Sequence, residues 1–494
     1  MQTQQYKYNL TEEEIENYAD DPSEWKRKYF EKRKHEYSIT NKINIMLVTY
    51  NINEKIIQPD TFKYILSQNR HNIDLIFVVV EEIDMSVSGF LKGNTLTPKA
   101  CDLKTNIERA LQFASSDTFL PMNISQLGGV VLTGFYSAKI KGRFSNLAAG
   151  YEAVGTMGLA NKGGIAFSFN IDDTKICVVG CHLAAHQSEI EKRNQNFHDI
   201  YHNIELVPQV KELRENIKDI NENQHKNEVR RIENHDIIFW MGDLNYRIDE
   251  DDALIREKCQ KQCCQDLLES GDQLVHQQKS NRLISKFIES TITFQPTYKF
   301  HPNTNNYNEK RKPAYCDRIL FKTNSFIDCL EYISLPDAME SDHKPVRGLY
   351  TIETISVTKN RYEAVKQDAI ELENEMLRYA PPKVKLDKVE LAVDVYPFKL
   401  TESLLFVQND GKTRVKAHFK DPHFEKIGEF PEWLSVTPSE FEIDRKDRSK
   451  RSVLLQFRFG NVPYNTYFKK GYYDYTLVLE IENGKVISFQ FDLH

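Results

Sequence analysis

Several apolar segments of this sequence end in a polar residue, and this pattern restricts the fold more than any other feature. Four segments are typical of short buried strands that finish in Asn, Glu, His or Asp: 44–51, 74–80 with the following Glu81 and Glu82, 176–182 and 237–243. A fifth, 317–321, carries an Asp at one end. Binding and catalytic residues concentrate where a rigid scaffold meets its loops. The pattern therefore predicts a layered sheet structure with one functional rim.

The stretch 239–247, Phe-Trp-Met-Gly-Asp-Leu-Asn-Tyr-Arg, offers the clearest candidate chemistry. On an extended chain Asp243 and Asn245 face the same way, so both can point at one ligand. Asp243 would act as a base or orient a metal, and Asn245 would hydrogen-bond a phosphate or a water. Gly242 allows a close approach to the backbone. Because a Gly-Asp-x-Asn turn is also common turn chemistry, the other segments decide between the two interpretations.

Composition narrows the classes of function. A chain of 494 residues is expected to hold two or three domains, and its net charge of -7 argues against bulk attraction to nucleic acid while still allowing a local basic pocket. The eight Cys all precede residue 330 without a Cys-x-x-Cys pair, which argues against a disulfide framework or a zinc knuckle and favours a reducing compartment. The polar start and the lack of an apolar run of about 18 residues predict neither a signal peptide nor a transmembrane helix.

Taken singly, the other candidates have ordinary explanations. Glu82 alone would be a solvated residue after a strand, and Asn51 alone a turn former. His182 and His186 have the i, i+4 spacing of a helical zinc pair, but no Glu follows His182 as that motif requires, so we place His182 at a strand end. The loop 161–164, Asn-Lys-Gly-Gly, is suited either to wrap an anion or to form a plain turn.

The order of the candidate residues resembles the endonuclease/exonuclease/phosphatase superfamily, which has the DNase I-like fold. The matching residues are Asn51, Glu82, Asp243, Asn245, Asp317, Asp342 and His343. Two stretches, 239–247 and 313–320, are similar to the signature motifs of inositol polyphosphate 5-phosphatases, and further motifs match at 154–158, 161–164, 182–186, 296–299 and 341–345. The resemblance covers about residues 40–355. It implies an α/β protein, a four-layer α/β/β/α sandwich.

The resemblance also implies a reaction, the Mg2+-dependent removal of the 5-phosphate from phosphatidylinositol 4,5-bisphosphate and related phosphoinositides or inositol polyphosphates. The implied catalytic residues are Asp243, Asn245, His343, Asp317, His182 and Asp342. The implied substrate-binding residues are Asn161 and Lys162 at the 1-phosphate, and Tyr298, Lys299, Lys310 and Arg311 at the 4-phosphate. Because Mg2+ prefers oxygen ligands, Glu82 with help from Asn51 is expected to hold it.

Three residues depart from the family pattern. Glu81 stands where the family usually has Gln, and an extra carboxylate there is expected to raise a pKa or alter metal binding. Tyr315 replaces a Trp of the second signature motif. Glu309 replaces a basic residue four positions before Pro313, although Lys310, Arg311 and Lys312 follow it. This last change bears on substrate contacts and leaves the reaction unchanged.

After Tyr350 the sequence pattern changes. Apolar residues between Tyr362 and Tyr379 recur at alternating spacings of three and four, which predicts a helix with a narrow apolar seam that Pro381 and Pro382 end. Alternating segments follow, and Asn-Asp-Gly at 409–411 and Asn-Gly at 483–484 predict hairpin turns. The tail is therefore expected to form a smaller all-β, immunoglobulin-like sandwich.

The tail resembles the ASH domain that follows the catalytic domain in type II 5-phosphatases of the Lowe-syndrome branch. We expect an N-terminal arm at 1–40, a catalytic domain at 41–355, a helical linker at 356–381 and an ASH domain at 382–494. The arm, with Trp25, Tyr29 and Phe30 available for packing, would be a helix laid over the domain or a partly ordered segment. We expect neither the RhoGAP-like domain nor the PH domain of that branch.

The resemblance implies partners as well. The substrate would be a phosphoinositide at a membrane surface, and a Rab-type GTPase would dock on the open side of the helical seam and on the ASH domain, unless the helix is only a spacer. We expect no nucleic acid partner and a cytoplasmic protein peripheral to membranes, at the endosome, Golgi, plasma membrane or cilium. Two alternatives stay open: a nuclease of the same fold, and a catalytically idle scaffold that acts through the ASH domain.

Overall fold

The computed structural model describes residues 10–67, 72–86, 96–114, 117–155, 160–208, 230–323, 325–379, 382–411, 413–444, 450–460 and 473–494. These residues form two compact units. The larger unit is Ser38–Val357, and the smaller unit joins the segment before Ser38 to Thr358–His494. Among the described helices, none combines the length and the apolar character needed to span a lipid bilayer.

The α-helices within the described ranges are α1 Glu12–Asp20, α2 Pro22–Lys32, α3 Lys34–Tyr37, α4 Pro59–Ile65, α5 Pro98–Ala114, α6 Ile190–Asn203, α7 Asp252–Gln260, α8 Gln265–Ser270, α9 Gln273–Ser280 and α10 Lys359–Tyr379. The strands are β1 Ser38–Asn51, β2 Leu75–Glu81, β3 Phe119–Leu127, β4 Val130–Ser137, β5 Phe144–Ala153, β6 Gly163–Ile171, β7 Thr174–His182, β8 Val207–Pro208, β9 Ile237–Asp243, β10 Ile288–Glu289, β11 Asp317–Thr323, β12 Ile327–Ser334, β13 Val346–Val357, β14 Val384–Leu386, β15 Glu390–Val393, β16 Leu400–Asn409, β17 Val415–Lys420, β18 Leu434–Thr437, β19 Glu440–Ile443, β20 Arg451–Arg458, β21 Tyr473–Ile481 and β22 Val486–Leu493.

The larger unit contains two sheets packed face to face. One sheet has the strand order β12-β13-β1-β2-β4-β3 and the other β10-β11-β9-β7-β6-β5-β8. Apolar side chains from both sheets form one core, with Phe77 of β2 stacked on Phe169 of β6. Helices α4 and α5 pack on the outer face of the first sheet, and α6 and α9 on the outer face of the second. The predicted α/β/β/α order of layers is confirmed.

The central strands read as continuous apolar runs because both of their faces are covered. Every residue of β2 and of β9 is buried. Within the second sheet the register places His182 beside Asp243, and Asp243 opposite Asp317. In the first sheet Asn51 pairs with Glu81 at the ends of β1 and β2. Polar strand ends of both sheets therefore lie at one rim, as the sequence predicts.

The strands of the smaller unit form two sheets around a separate apolar core, with the orders β14-β16-β20-β18 and β15-β22-β21-β17-β19. The tail is all-β, and its strand pairs are antiparallel except β15 with β22. The hairpin predicted at Asn483-Gly484 joins β21 to β22 and places Leu477 opposite Phe489.

The hairpin predicted at 409–411 is wrong, because β16 and β17 belong to different sheets. The side chain of Asn409 is buried and donates hydrogen bonds to the carbonyl oxygens of Thr413, Ile443 and Asp444. The Asn-Asp-Gly segment therefore belongs to a connection between the two sheets. Sheet membership depends on pairing partners far away in the sequence, and a local turn signal does not contain that information.

Helix α10 has the predicted apolar seam, in which Val365, Ala369 and Met376 are buried. The first helices of the chain cover it. Leu10, Ile15 and Tyr18 cluster with Met376, and the rings of Phe30 and Tyr37 contact Tyr362. The expected open side of the seam is thus occupied by the N-terminal segment, which belongs to the smaller unit. Pro381 lies outside the described residues, and the helix ends at Tyr379.

Candidate active site

Asp243 lies at the centre of the rim, at the end of β9. Its Oδ2 accepts a hydrogen bond from Asn51 Nδ2 at 3.0 Å and lies 3.2 Å from His182 Nε2. Burial alone raises the pKa of Asp243, but the hydrogen bond and charge of His182 and the charges of His343 and Lys162 outweigh burial and lower it. Asp243 is therefore an anion at neutral pH.

Gly242 adopts a φ of +148°, and a Cβ atom there would lie 1.8 Å from the Cys181 carbonyl oxygen. The close approach expected at Gly242 is made by the neighbouring strand β7. Glycine is required at this position because any side chain would push β7 and β9 apart.

Asn245 lies beside Asp243, but for a different reason from the one predicted. It follows the strand with a φ of +57°, so the parity of an extended chain does not apply. Its backbone N–H donates to Asp243 Oδ1 at 3.1 Å, and its side-chain amide donates to the Leu183 carbonyl oxygen at 3.1 Å. Arg247 donates to both oxygens of Asn245. A compact turn therefore aims the Asp243 carboxylate.

His343 and Asp317 form a buried pair next to Asp243. His343 Nδ1 lies 2.9 Å from Asp317 Oδ2, which also accepts a hydrogen bond from the Thr297 hydroxyl at 2.6 Å. Burial alone lowers the pKa of His343, but the neighbouring carboxylates, above all Asp317, raise it to about 10. Burial raises the pKa of Asp317. The pair therefore keeps a proton on His343 at neutral pH.

Lys162, which the family resemblance assigns to the 1-phosphate, contacts the residues around Asp243. Its Nζ contacts His182 Nε2. Burial lowers the pKa of Lys162, while the carboxylates of Asp243 and Glu82 oppose that shift. Burial and the charge of Lys162 lower the pKa of His182. Asn161, the preceding residue, has a buried side-chain oxygen without a hydrogen-bond partner in the described structure.

Glu82 follows β2 with a φ of +56°, an unusual conformation that lets it differ in direction from Glu81. Its side chain is 26% exposed, and its Oε1 lies 3.8 Å from His182 Nε2. Glu82 Oε1 and Asp243 Oδ2 thus lie near the same His182 nitrogen, and Asn51 binds Asp243 Oδ2 through Nδ2 and accepts the Asn53 N–H through Oδ1. Such a set of hard oxygen donors fits a Mg2+ or Ca2+ ion.

Asp243, Asp317 and His343 are the only described group of three His, Cys, Asp or Glu side chains whose candidate ligand atoms lie within 4.8 Å of one another. Asp317 already occupies His343 Nδ1. A protonated imidazolium cannot coordinate a cation, so this trio is better explained as a charge-compensated cluster. The oxygen atoms of Glu82 and Asn51 remain the better ligands.

Glu81 points into the protein below the rim. Its Oε1 accepts hydrogen bonds from the Thr49 hydroxyl at 3.0 Å and from the Asp243 backbone N–H at 3.2 Å. Burial, together with the charges of Asp317 and Asp243, raises the pKa of Glu81 well above its ordinary value. The raised pKa favours the protonated carboxyl, which has nearly the shape of the Gln side chain that the family usually has here.

The basic residues expected at the 4-phosphate form two groups. Lys299 Nζ pairs with Asp342 Oδ2 at 2.7 Å, and the Tyr298 ring lies 4.7 Å from the His343 ring. Lys310 and Arg311 are exposed, in a loop tied to the same segment by the Asn308 N–H, which donates to the Lys299 carbonyl oxygen. Glu309 is the residue of this loop that departs from the family pattern. Its carboxylate pairs with His301, which is not one of the predicted site residues.

Several residues of the site were not predicted from the sequence. Arg247 lies over the Tyr298 ring at 4.5 Å, Thr297 binds Asp317, and the Ser341 hydroxyl donates to the Asn51 carbonyl oxygen at 2.6 Å. All three lie inside the motifs 239–247, 296–299 and 341–345, and membership of a motif was the sequence signal that could have identified them. Tyr315, the departure from Trp, is buried and donates to the Phe294 carbonyl oxygen at 3.1 Å.

Comparison with known proteins identifies the family of this chain. Residues 48–349 match the model of the Endonuclease/Exonuclease/phosphatase family 2. The chain belongs to this family. The mouse "Type II inositol 1,4,5-trisphosphate 5-phosphatase" is 28% identical to this family member over 471 residues, which cover 93% of the chain and 44% of that protein. The Saccharomyces cerevisiae "Phosphatidylinositol 4,5-bisphosphate 5-phosphatase INP51" is 28% identical over 330 residues, 65% of the chain and 33% of that protein.

A solved structure is similar to the greater part of this chain. It is the inositol polyphosphate 5-phosphatase domain of SPsynaptojanin in complex with inositol (1,4)-bisphosphate and calcium ion, with a TM-score of 0.61 and 25% identity. The match covers 72% of the chain and 97% of that domain. Within its family, the chain is thus similar to inositol polyphosphate 5-phosphatases. These enzymes hydrolyse phosphoric monoesters. The chain spans less than half the length of the two relatives described above.

Proposed function

We propose that this protein removes the 5-phosphate from phosphatidylinositol 4,5-bisphosphate and related phosphoinositides or inositol polyphosphates. The observation that carries the proposal is the buried cluster of Asp243, Asp317 and His343 at one rim, in which Asn51 binds Asp243 and Asp317 binds His343. Phosphoryl transfer requires positioning and charge neutralisation more than covalent chemistry. A carboxylate beside an imidazolium supplies both.

In this proposal Asp243 orients the attacking water and accepts its proton. Asn51 and the Asn245 backbone N–H hold the carboxylate in place through hydrogen bonds. His343 donates from its second ring nitrogen to the phosphoryl oxygens and offsets the charge that grows on them. Asp317 fixes the orientation of His343, since it occupies Nδ1. His182 and Lys162 bind the same phosphoryl group.

Glu82 and Asn51 would hold a Mg2+ ion, which when bound supplies charge neutralisation and a fixed orientation for the phosphoryl oxygens. The support for a cation is the partly exposed Glu82 carboxylate beside the buried cluster and the calcium ion in the SPsynaptojanin complex. The backbone itself would orient the Glu82 ligand, because the positive φ of Glu82 turns its side chain to the rim.

Lys299, with Tyr298 behind it and Lys310 and Arg311 in the adjoining loop, would bind the 4-phosphate. Asp342 holds Lys299 before substrate arrives. Asn161 would bind the 1-phosphate through its side-chain amide. Lys162 is better assigned to the transferred phosphoryl group, because it contacts His182.

A phosphate-release assay tests the proposal against its alternatives. We expect purified protein to release phosphate from inositol 1,4,5-trisphosphate in the presence of Mg2+ and to leave single-stranded and double-stranded DNA intact. Cleavage of DNA would favour a nuclease, for which the acidic net charge offers no support. An inert protein would favour a scaffold, against which the buried hydrogen bonds of Asp243 and His343 argue.

We propose further that the tail is an ASH domain that binds a Rab-type GTPase, and that the protein works in the cytoplasm at a membrane surface. Two observations support the tail assignment: it is a two-sheet sandwich, and the similarity to the mouse relative over 471 residues extends well beyond the larger unit. Because α1–α3 cover the seam of α10, the GTPase would use the outer side of α10, where Ile370 is 41% exposed.

Capture of full-length protein by a panel of GTP-loaded Rab proteins tests this second proposal. We expect one or more to bind the wild-type protein and to lose affinity for Ile370→Asp, which changes an exposed residue without disturbing the seam. Absence of binding across the panel contradicts the proposal. Fractionation of cells that express tagged protein, with a soluble and membrane-associated distribution expected, checks the location.

A further inference from the structure

Three cysteines meet at the turn between α7 and α8, in the larger unit. Cys259 and Cys264 are buried, and their sulfur atoms lie 3.3 Å apart, whereas Cys263 is exposed. The turn produces this contact. Gln262 adopts a φ of +53° and the Cys263 N–H donates to the Lys258 carbonyl oxygen at 3.0 Å, which turns Cys264 back onto α7.

The two buried thiols differ in character. The Cys264 thiol faces two acceptors, Cys259 Sγ and the Gln295 side-chain oxygen at 2.9 Å. The hydrogen bond from Cys264 lowers the pKa of Cys259, whereas the contact with Cys259 and burial raise the pKa of Cys264. Thiolates are the reactive form of cysteine. Cys259 is therefore the nucleophile of the pair and Cys264 its resolving partner.

This thiol pair contacts the segment that carries two of the proposed 4-phosphate residues, through the hydrogen bond from Cys264 to Gln295. Gln295 precedes Thr297 and Tyr298 by only two and three positions. Helix α7 also carries Arg256, whose guanidinium donates to the carbonyl oxygens of Asn308, Glu309 and Arg311. Cys264 thus supports the Thr297 segment, and Arg256 of α7, one turn before Cys259, supports the loop with Lys310 and Arg311.

We propose that Cys259 and Cys264 form a redox modification site, at which a peroxide converts the two thiols into a disulfide. The Cys259 sulfur attacks hydrogen peroxide and breaks its O–O bond, which gives a sulfenic acid and one water. The Cys264 sulfur then displaces the hydroxyl group, so that the S–S bond forms, the S–O bond breaks and a second water leaves. Two thiols lose two protons and two electrons, and the peroxide is reduced to two waters.

The geometry requires only a small movement. A disulfide bond is about 2.05 Å long, so the sulfur atoms approach by roughly 1.3 Å from their present separation. After oxidation Cys264 no longer has an S–H to donate to Gln295. The segment before Thr297 and Tyr298 then loses one support, and we expect catalytic efficiency on 4-phosphate substrates to fall roughly 3- to 10-fold, mainly through KM. This consequence rests on the proposed function, whereas formation of the disulfide does not.

Peptide mapping of the full-length protein tests the site directly. The protein is treated with hydrogen peroxide, free thiols are blocked with N-ethylmaleimide, and trypsin then cuts after Lys258 and Lys261. The expected product is peptide 259–261 joined to peptide 262–279, and dithiothreitol should separate the two.

Matched variants decide which sulfur atoms are joined. Cys263→Ser alters the exposed neighbour and should keep the linked peptides, and Cys264→Ser should lose them. Wild-type protein without linked peptides overturns the proposal. So does a link that persists in Cys264→Ser and disappears in Cys263→Ser.

Activity assays on the same samples test whether the disulfide affects the segment that carries Thr297 and Tyr298. Equal efficiency of oxidised and reduced wild-type protein on inositol 1,4,5-trisphosphate overturns the coupling to the substrate segment. Lack of activity in both forms counts against the proposed phosphatase function and leaves the peptide result standing. The two failures are therefore distinguishable.

Discussion

Asp243 and Asp317 lie directly opposite each other on the antiparallel strands β9 and β11, and both carboxyl groups are buried. Like charges at facing positions of a sheet repel each other. Here each carboxylate has its own histidine, His182 beside Asp243 and His343 beside Asp317. The charges of His343 and Lys162 oppose this repulsion at Asp243, whereas His182, whose own pKa is lowered, contributes a hydrogen bond. Each carboxylate can be tested by substitution.

Asp243→Asn should reduce turnover on inositol 1,4,5-trisphosphate by roughly 1,000-fold or more, because residues that act as one unit are individually indispensable. Asn has a similar volume, so the fold should persist. Phosphate release measures the effect, and circular dichroism checks the fold. His198→Ala, which changes an exposed residue of α6, is the matched control and should keep wild-type turnover. Near-normal turnover of Asp243→Asn would remove it from the mechanism.

The His343 substitution should show a distinctive dependence of stability on pH. The folded protein raises the pKa of His343 from 6.5 to about 10, so it binds more protons than the unfolded chain within that range. The resulting stabilisation is fully present below pH 6.5 and is lost as pH rises through 10. The difference in free energy of unfolding between wild type and His343→Gln should shrink between these limits in urea titrations. A difference independent of pH contradicts a protonated His343.

Glu81→Gln should leave turnover near the wild-type level and stabilise the protein at alkaline pH. Because the folded state raises the pKa of Glu81, the wild-type protein loses stability as pH rises above the carboxyl's ordinary range, by up to about 1.4 kcal/mol per pH unit. Gln removes this loss. Urea titrations at pH 5 and pH 8 in EDTA should show a larger gain at pH 8, and equal gains would mean that Glu81 is ionised in the folded state.

Lys299→Ala should reduce catalytic efficiency on inositol 1,4,5-trisphosphate by roughly 10- to 150-fold, since a charge-assisted hydrogen bond to phosphate is lost. A substrate without the 4-phosphate should be poor for the wild type and little affected by the substitution. Arg311→Ala should show the same selectivity. The same loss on both substrates would assign these residues to general electrostatics or to folding.

Removal of divalent cations should abolish phosphate release, and added Mg2+ should restore it. Glu82→Gln should shift the Mg2+ concentration for half-maximal activity upward by roughly 10-fold or more, because a neutral amide replaces a charged ligand. Asp342→Asn is the comparison variant. Because Asp342 pairs with Lys299, this variant should not shift the Mg2+ concentration for half-maximal activity. Activity that persists in EDTA would exclude the metal from the proposed mechanism.

Much of the site was predictable because its residues stand in short motifs with a definite order. The strand ends were recognisable from apolar runs that stop at a polar residue, and the family resemblance supplied the roles. The directions of the side chains were not predictable. Asn245 reaches Asp243 through a residue with positive φ, and Lys162 reaches His182 because β6 pairs with β7. Both depend on backbone geometry that parity arguments omit.

Long-range pairing explains the remaining errors. The Asn-Asp-Gly segment after β16 has the local chemistry of a hairpin, yet the strands on its two sides pair with different partners. The seam of α10 was visible from its spacing, but its partner helices come from the opposite end of the chain. A local sequence pattern shows which face is apolar and contains no information about what covers it.

The covering of α10 by α1–α3 has a consequence for how the protein is made. The first helices leave the ribosome roughly 300 residues before the helix they pack on, which at about 5–20 residues per second is on the order of 15–60 s. During that time Trp25, Phe30 and Tyr37 lack their final packing partners. The nascent chain therefore carries an exposed aromatic segment that chaperones can bind, and translation speed through the larger unit sets how long it stays available.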